Sequence, residues 1–280
     1  MKKSLWIFGV AVIALTGCTN NEVVDIPQSR AINFSNTFVN NATRADVTNA
    51  NFTQFWVYGG YQNGASWVDV FNNVKVSGAS VGSSAVWTPE ETAYWQVNKT
   101  YNFGAYADGT SQLTTGISYE PASKTLTFSD YSAGANDLIA ATSSDVSWDG
   151  SADPAKVQLS FNHMLSKVKF TFKTDAVETY TMKVSGLKIS QAIQTATGTM
   201  VNNVVGTWSG DKTGEYSFAD IDDYATAEGQ AESEVKYVIP QEGTNEIRVD
   251  FTVTVTDGGD YSETGSFSGT MAIADANKWE

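Results

Sequence analysis

Ile247-Arg248-Val249-Asp250-Phe251-Thr252-Val253-Thr254-Val255-Thr256 alternates apolar and polar side chains without a break. Successive side chains of a strand point to opposite faces, so Ile247, Val249, Phe251, Val253 and Val255 predict a buried face and Arg248, Asp250 and the threonines a wet one. The stretch runs into Asp257-Gly258-Gly259-Asp260, where glycine supplies the positive φ of a tight hairpin, and a returning strand is expected from Phe267 to Ile273.

The same pattern recurs upstream. Val168, Phe170 and Phe172 face one way, and Lys167, Lys169, Thr171 and Lys173 the other. Further strands are expected at 52–58, 94–97, 101–107, 124–128, 157–161, 165–172, 180–184 and 235–239, separated by Gly, Asn, Asp and Ser. No stretch of ten residues has helical periodicity, and β-branched and aromatic residues favour sheet throughout. The predicted class is all-β, with two sandwiches.

The first residues form an export signal. Lys2 and Lys3 precede an apolar run from Leu5 to Leu15, which is too short to span a bilayer of roughly 20 apolar residues. Leu15-Thr16-Gly17-Cys18 matches a lipobox, so residues 1–17 are expected to be removed and Cys18 acylated on its thiol and new amino group. An ordinary secretory signal would leave the class, order and distance of these residues unexplained. Cys18 is the only cysteine, and lipidation leaves no thiol for a disulfide, a metal site or a nucleophile.

A net charge of −14 argues against nucleic acid, which needs clustered Lys and Arg. His163 is the only histidine; it rules out multi-histidine metal sites and reads as a hydrogen-bonding residue at a strand junction. Asp220, Asp222 and Asp223, and Asp257 with Asp260, lack the ordered loop pattern of an EF-hand and read as solvated turns. Neither a metal nor a cofactor is expected. No phosphate loop, Gly-x-Ser-x-Gly elbow or His-Glu-x-x-His stretch occurs, so the sequence offers no support for an enzyme. Trp56 and Trp95 lie in strand patterns and are expected in cores. Trp67, Trp87 and Trp148 lie near expected loops and support an alternative reading, a monomeric surface lipoprotein that binds glycans through them.

The sequence resembles the fimbrillin family of Bacteroidales, subunits of cell-surface fimbriae made from lipoprotein precursors. The resemblance rests on the order of short stretches: the lipobox at Cys18, Thr43-Arg44-Ala45, Asn136-Asp137-Leu138-Ile139-Ala140, Phe161-Asn162-His163-Met164-Leu165-Ser166-Lys167-Val168, Val238-Ile239-Pro240-Gln241 and Asn277-Lys278-Trp279-Glu280. It implies two transthyretin-like β-sandwich domains, at 49–155 and 156–280, after a tether and removable first strand at 18–48. It implies an outer-membrane lipoprotein, an arginine-specific cut that removes the tether with the first strand, and filling of the vacated groove by a strand of a neighbouring subunit. Arg44 lies between the strand candidate Ala31-Ile32-Asn33-Phe34 and the strand at 52–58, so a cut between Arg44 and Ala45 releases strand and lipid together; a cut at Arg30 would release the lipid alone. The implied partners are other fimbrial subunits, outer-membrane lipid and a host protein or glycan. Family members usually continue past the Lys-Trp-Glu-like stretch with a final strand, whereas this sequence ends at Glu280, which would suit a terminal or accessory subunit and equally an incomplete gene model.

Overall fold

The computed structural model describes residues 30–39, 52–78, 86–173, 180–225, 230–241, 246–257 and 259–272. These residues form β-sheets and contain no α-helix, so the chain is all-β, as its alternating segments predict.

The largest sheet has the order β1 (Phe34–Val39), β9 (Val157–His163), β8 (Leu138–Ser147), β5 (Thr100–Asp108), β2 (Gln54–Asn63), β3 (Ser66–Ser77), β4 (Thr88–Pro89). β1 joins β9 in parallel, and the other pairs are antiparallel. A four-stranded sheet joins β14 (Val204–Val205), β13 (Thr195–Val201), β7 (Thr125–Ser132) and β6 (Ile117–Glu120). In the third sheet β12 (Thr181–Ala192) pairs with β15 (Gly214–Ser217), β16 (Ile221–Ala225) and β19 (Glu246–Thr256), and β19 with β20 (Ser262–Ala272). Two short ladders, β10 (Ser166–Val168) with β18 (Lys236–Val238) and β11 (Thr171–Lys173) with β17 (Gln230–Glu232), complete the described strands.

Both faces of the seven-stranded sheet are covered. Phe55, Val57, Phe103, Ala105, Ile139 and Ala141 enter one core, while Trp56, Tyr58, Tyr106, Leu138 and Ala140 enter another, which continues through Leu126 and Phe128 to Val184, Ile189 and Val249. Burial on both faces explains why β2, β5 and the first half of β8 are buried almost continuously instead of alternately.

Several expectations change. β9 lies beyond position 155 but pairs within the first sheet, and β13 pairs with β7, so hydrogen bonding crosses that position in two places. The strand expected at 94–97 reduces to a single bridge at Tyr94. β3 was not expected, because Asp69, Asn72 and Asn73 interrupt its apolar residues; Asn73 has φ 58° where the β2 pairing is irregular. In β19 only Ile247 and Val249 are buried, and both faces are half-buried from Phe251 onward. The facing ladders contribute few residues there, chiefly Phe170 and Phe172, which cannot cover a strand of this length.

Candidate functional site

The segment that begins at Arg30 is held along both edges. On one side Ile32 N donates to Ala93 O (2.8 Å), Trp95 N to Arg30 O (3.0 Å), Phe34 N to Trp87 O (3.1 Å) and Trp87 N to Phe34 O (3.0 Å). On the other, Val157 N donates to Asn33 O (2.8 Å), and the parallel register pairs Phe34 with Val157 and Val39 with Phe161. Trp87 directly precedes β4, the far strand of the sheet order, so β1 closes the sheet upon itself.

The side chains match this closure. Ile32 and Phe34 are fully buried. The Phe34 ring meets Phe55 edge-on at 5.7 Å, Phe103 edge-on at 5.8 Å and Phe71 at 5.9 Å, in the T-shaped and tilted geometries that aromatic rings prefer. Trp87 is also fully buried and packs on Phe55 and Phe52. Its position depends on Gly78, where a Cβ would stand 2.4 Å from the indole ring.

A second feature lies where two of the family-like stretches meet. His163 Nδ1 lies 2.9 Å from Asp137 Oδ1, with both side chains largely buried. Nearby, the Tyr131 hydroxyl donates to Asp108 (3.2 Å), whose carboxyl is pushed above the ordinary carboxylate range by burial, a shift that this hydrogen bond opposes. His163 therefore has the hydrogen-bonding place at a strand end that its sequence context predicts. Among the described residues no group of three or more His, Cys, Asp or Glu is placed to hold a metal ion.

Cys18, Arg44 and Ala45 lie outside the described residues. Arg30 is exposed at its side chain, but its carbonyl is bonded to Trp95 and its guanidinium lies 5.8 Å over the Trp148 ring. Trp56 and Trp95 are core residues as expected. The tryptophans expected as sugar platforms are placed otherwise. Trp87 is interior, Trp148 is half-buried beneath Arg30 with its Nε1 donating to Ala152 O (2.6 Å), and Trp67 is half-buried within β3 opposite Gln62. Lys183 of β12 bridges Asp220 and Asp222, and Asp257 accepts from the backbone of Gly259, so Asp220 and Asp222 are engaged by β12 and Asp257 within its own turn. The role of Trp87 had no sequence signal, because its partner Phe34 lies far away along the chain.

A sequence model of the Fimbrillin-like family matches residues 43–278. No curated protein matches. Among solved structures, a protein of Bacteroides ovatus assigned to cell adhesion aligns at 18% identity and TM-score 0.44, covering 84% of this chain and 85% of that one. The fimbrial anchor protein Mfa2 of Porphyromonas gingivalis aligns at 12% identity and TM-score 0.34, over 81% and 78%. A fimbrial assembly protein of Parabacteroides distasonis aligns at 11% identity and TM-score 0.39, over 85% and 83%. The sequence match spans most of the chain, from just before Arg44 to the Lys-Trp-Glu stretch. The chain belongs to the fimbrillin-like family.

Proposed function

We propose that this protein is a structural or accessory subunit of cell-surface fimbriae, carried to the outer membrane as a lipoprotein on Cys18 and released for assembly by cleavage between Arg44 and Ala45. One observation carries the reading. The segment from Arg30 through β1 is bonded along both edges and inserts Ile32 and Phe34 into the core, and the chain joining it to β2 passes through Arg44. A cut there detaches β1 together with Cys18. The edge of β9, the backbone of Trp87 and Ala93 and the hollow lined by Phe55, Phe71 and Phe103 then lose their partner. A strand from a neighbouring subunit restores both hydrogen-bonded edges and the two buried side chains, which is β-augmentation. Arg30 suits this less well, because it precedes β1 and a cut there would leave the strand in place.

On this reading the protein is not an enzyme. Its partners are other fimbrial subunits, outer-membrane lipid before processing, and a host protein or glycan met by the assembled fibre. Mass spectrometry of the mature protein sheared from cells reads the outcome. A start at Ala45, with retention on the membrane in Arg44→Ala, supports the proposal; an intact acylated Cys18 in the sheared, polymeric fraction overturns it.

A further inference from the structure

We propose that the outer edge of β20 is a self-association surface on which two copies of this chain pair antiparallel about Ser268. β20 is the last strand of its sheet, and no other strand among the described residues pairs with its outer edge. It is long and regular: its ladder with β19 runs from Glu246 opposite Ala272 to Thr256 opposite Ser262 without a bulge. Edge strands are normally protected by lysine, proline, a bulge or a cover. β20 has no lysine, no proline and no bulge, and its only charge is Glu263 near one end.

Two large apolar side chains of this strand are exposed. Phe267 and Met271 are 54% and 49% exposed. Phe267 stacks on Phe251 at 5.1 Å, and Phe251 meets Phe172 edge-on at 5.2 Å. These rings border an open cavity of about 370 Å³ that Phe170, Val249 and Met271 also line.

The sequence of the strand selects the occupant. On the face shared with Phe251, β20 reads Gly265, Phe267, Gly269, Met271. Antiparallel pairing with Ser268 opposite Ser268 sets Phe267 against Gly269 of the second copy, and Met271 against Gly265 of the second copy. Each large side chain then meets a residue without one, and an added Cβ at Gly269 would find nothing within 4 Å, so there is room for a ring. On the opposite face the pairing matches small hydroxyl residues, Ser266 with Thr270 and Ser268 with itself. The arrangement is isologous and closes after two copies, and it places no like charges opposite one another between Thr264 and Ala272. It is separate from the groove occupied by β1.

Disulfide capture reads the register directly. Cα atoms of directly opposed antiparallel residues lie about 4.5 to 5.5 Å apart, within disulfide reach. Ser268→Cys in the full chain should yield a disulfide-linked dimer under mild oxidation. Thr264→Cys, which would lie opposite Ala272 of the second copy, should not exceed the wild-type background. In sedimentation equilibrium, Gly269→Leu should weaken the wild-type dimer by about tenfold or more, as expected for a lost aromatic contact. Equal capture at 264 and 268, a monomer at every concentration, or a dimer that appears only after residues 273–280 are deleted would each overturn the proposal. The last result would mean that the chain's own end covers this edge.

Discussion

Phe34 and Trp87 exchange both of their backbone hydrogen bonds, at 3.1 and 3.0 Å, across 53 positions of chain, and this pair closes the seven-stranded sheet. Both side chains are fully buried, so the closure is a packed one, and the behaviour of the first sheet should depend on it.

Phe34→Ala removes a ring that touches Phe55, Phe71 and Phe103 and leaves a cavity where the sheet closes. Such a truncation costs about 3 to 5 kcal/mol. Urea unfolding of the full chain should show a lower midpoint at an unchanged slope, whereas an unchanged midpoint would mean that β1 is not part of the stable fold.

If β1 is an exchangeable strand, a protein beginning at Ala45 should be less stable than the full chain, and a peptide of residues 30–39 should restore stability in proportion to the logarithm of its concentration. A peptide with Ile32 and Phe34 replaced by Asp should not do so. Thermal melts against peptide concentration test both statements.

Gly78→Ala should destabilise by about 1 to 3 kcal/mol, since the new Cβ would lie 2.4 Å from the Trp87 ring and disturb its packing on Phe52 and Phe55. Gly269→Ala meets nothing and should be close to neutral in the monomer. The two variants have the same composition change, so their melts separate steric clash from the loss of glycine itself.

Tyr216 is a buried crosslink: its hydroxyl donates to Ile193 O (2.7 Å) and accepts from Ile239 N (3.0 Å). Tyr216→Phe leaves both groups unpaired and should cost about 1 to 3 kcal/mol. Burial raises the Tyr216 pKa from 10.0 to about 12, and that of Tyr58 likewise. The folded state therefore holds these protons where the unfolded chain has released them. The contribution is complete below pH 10 and is lost as pH rises towards 12, so alkaline unfolding should steepen in that window, and less so in Tyr216→Phe.

Asp108 shifts in the same direction in the acid range. Burial raises its pKa above 3.8, so the folded state binds the proton more tightly and the ionised form is disfavoured above the raised value. Asp108→Asn should therefore gain stability relative to wild type as pH rises from about 4 towards neutrality, and the two should converge below pH 3.8. Stability curves at a series of pH values check the sign.

Strand identity was largely legible in the sequence. The alternation in 247–256 names which residues share a face and the segment forms one strand, whereas the stretch expected as one strand at 165–172 is divided between β10 and β11, with Lys169 and Phe170 outside both. The chemistry of Asp257-Gly258-Gly259-Asp260 places the hairpin, and β20 returns in full register from Ser262. β3 was hidden because a bulged, Asn-rich strand breaks the period-two pattern. Trp67 falls within that same strand, and Trp87 lies just before β4 with its burial set by a distant segment, which leaves no local mark.

The sequence by itself determined the all-β class, the strand faces, the buried places of Trp56 and Trp95, and the family, through stretches whose local pattern and order are self-contained. Only the tertiary structure decided who pairs with whom. It put β9 in the first sheet, joined β13 to β7, set His163 on Asp137 and set Phe34 on Trp87. The physical reason is that a strand's period specifies which way its side chains point, whereas its two edges carry the same backbone donors and acceptors whatever the sequence. Which edges meet is therefore settled by packing among residues far apart in the chain.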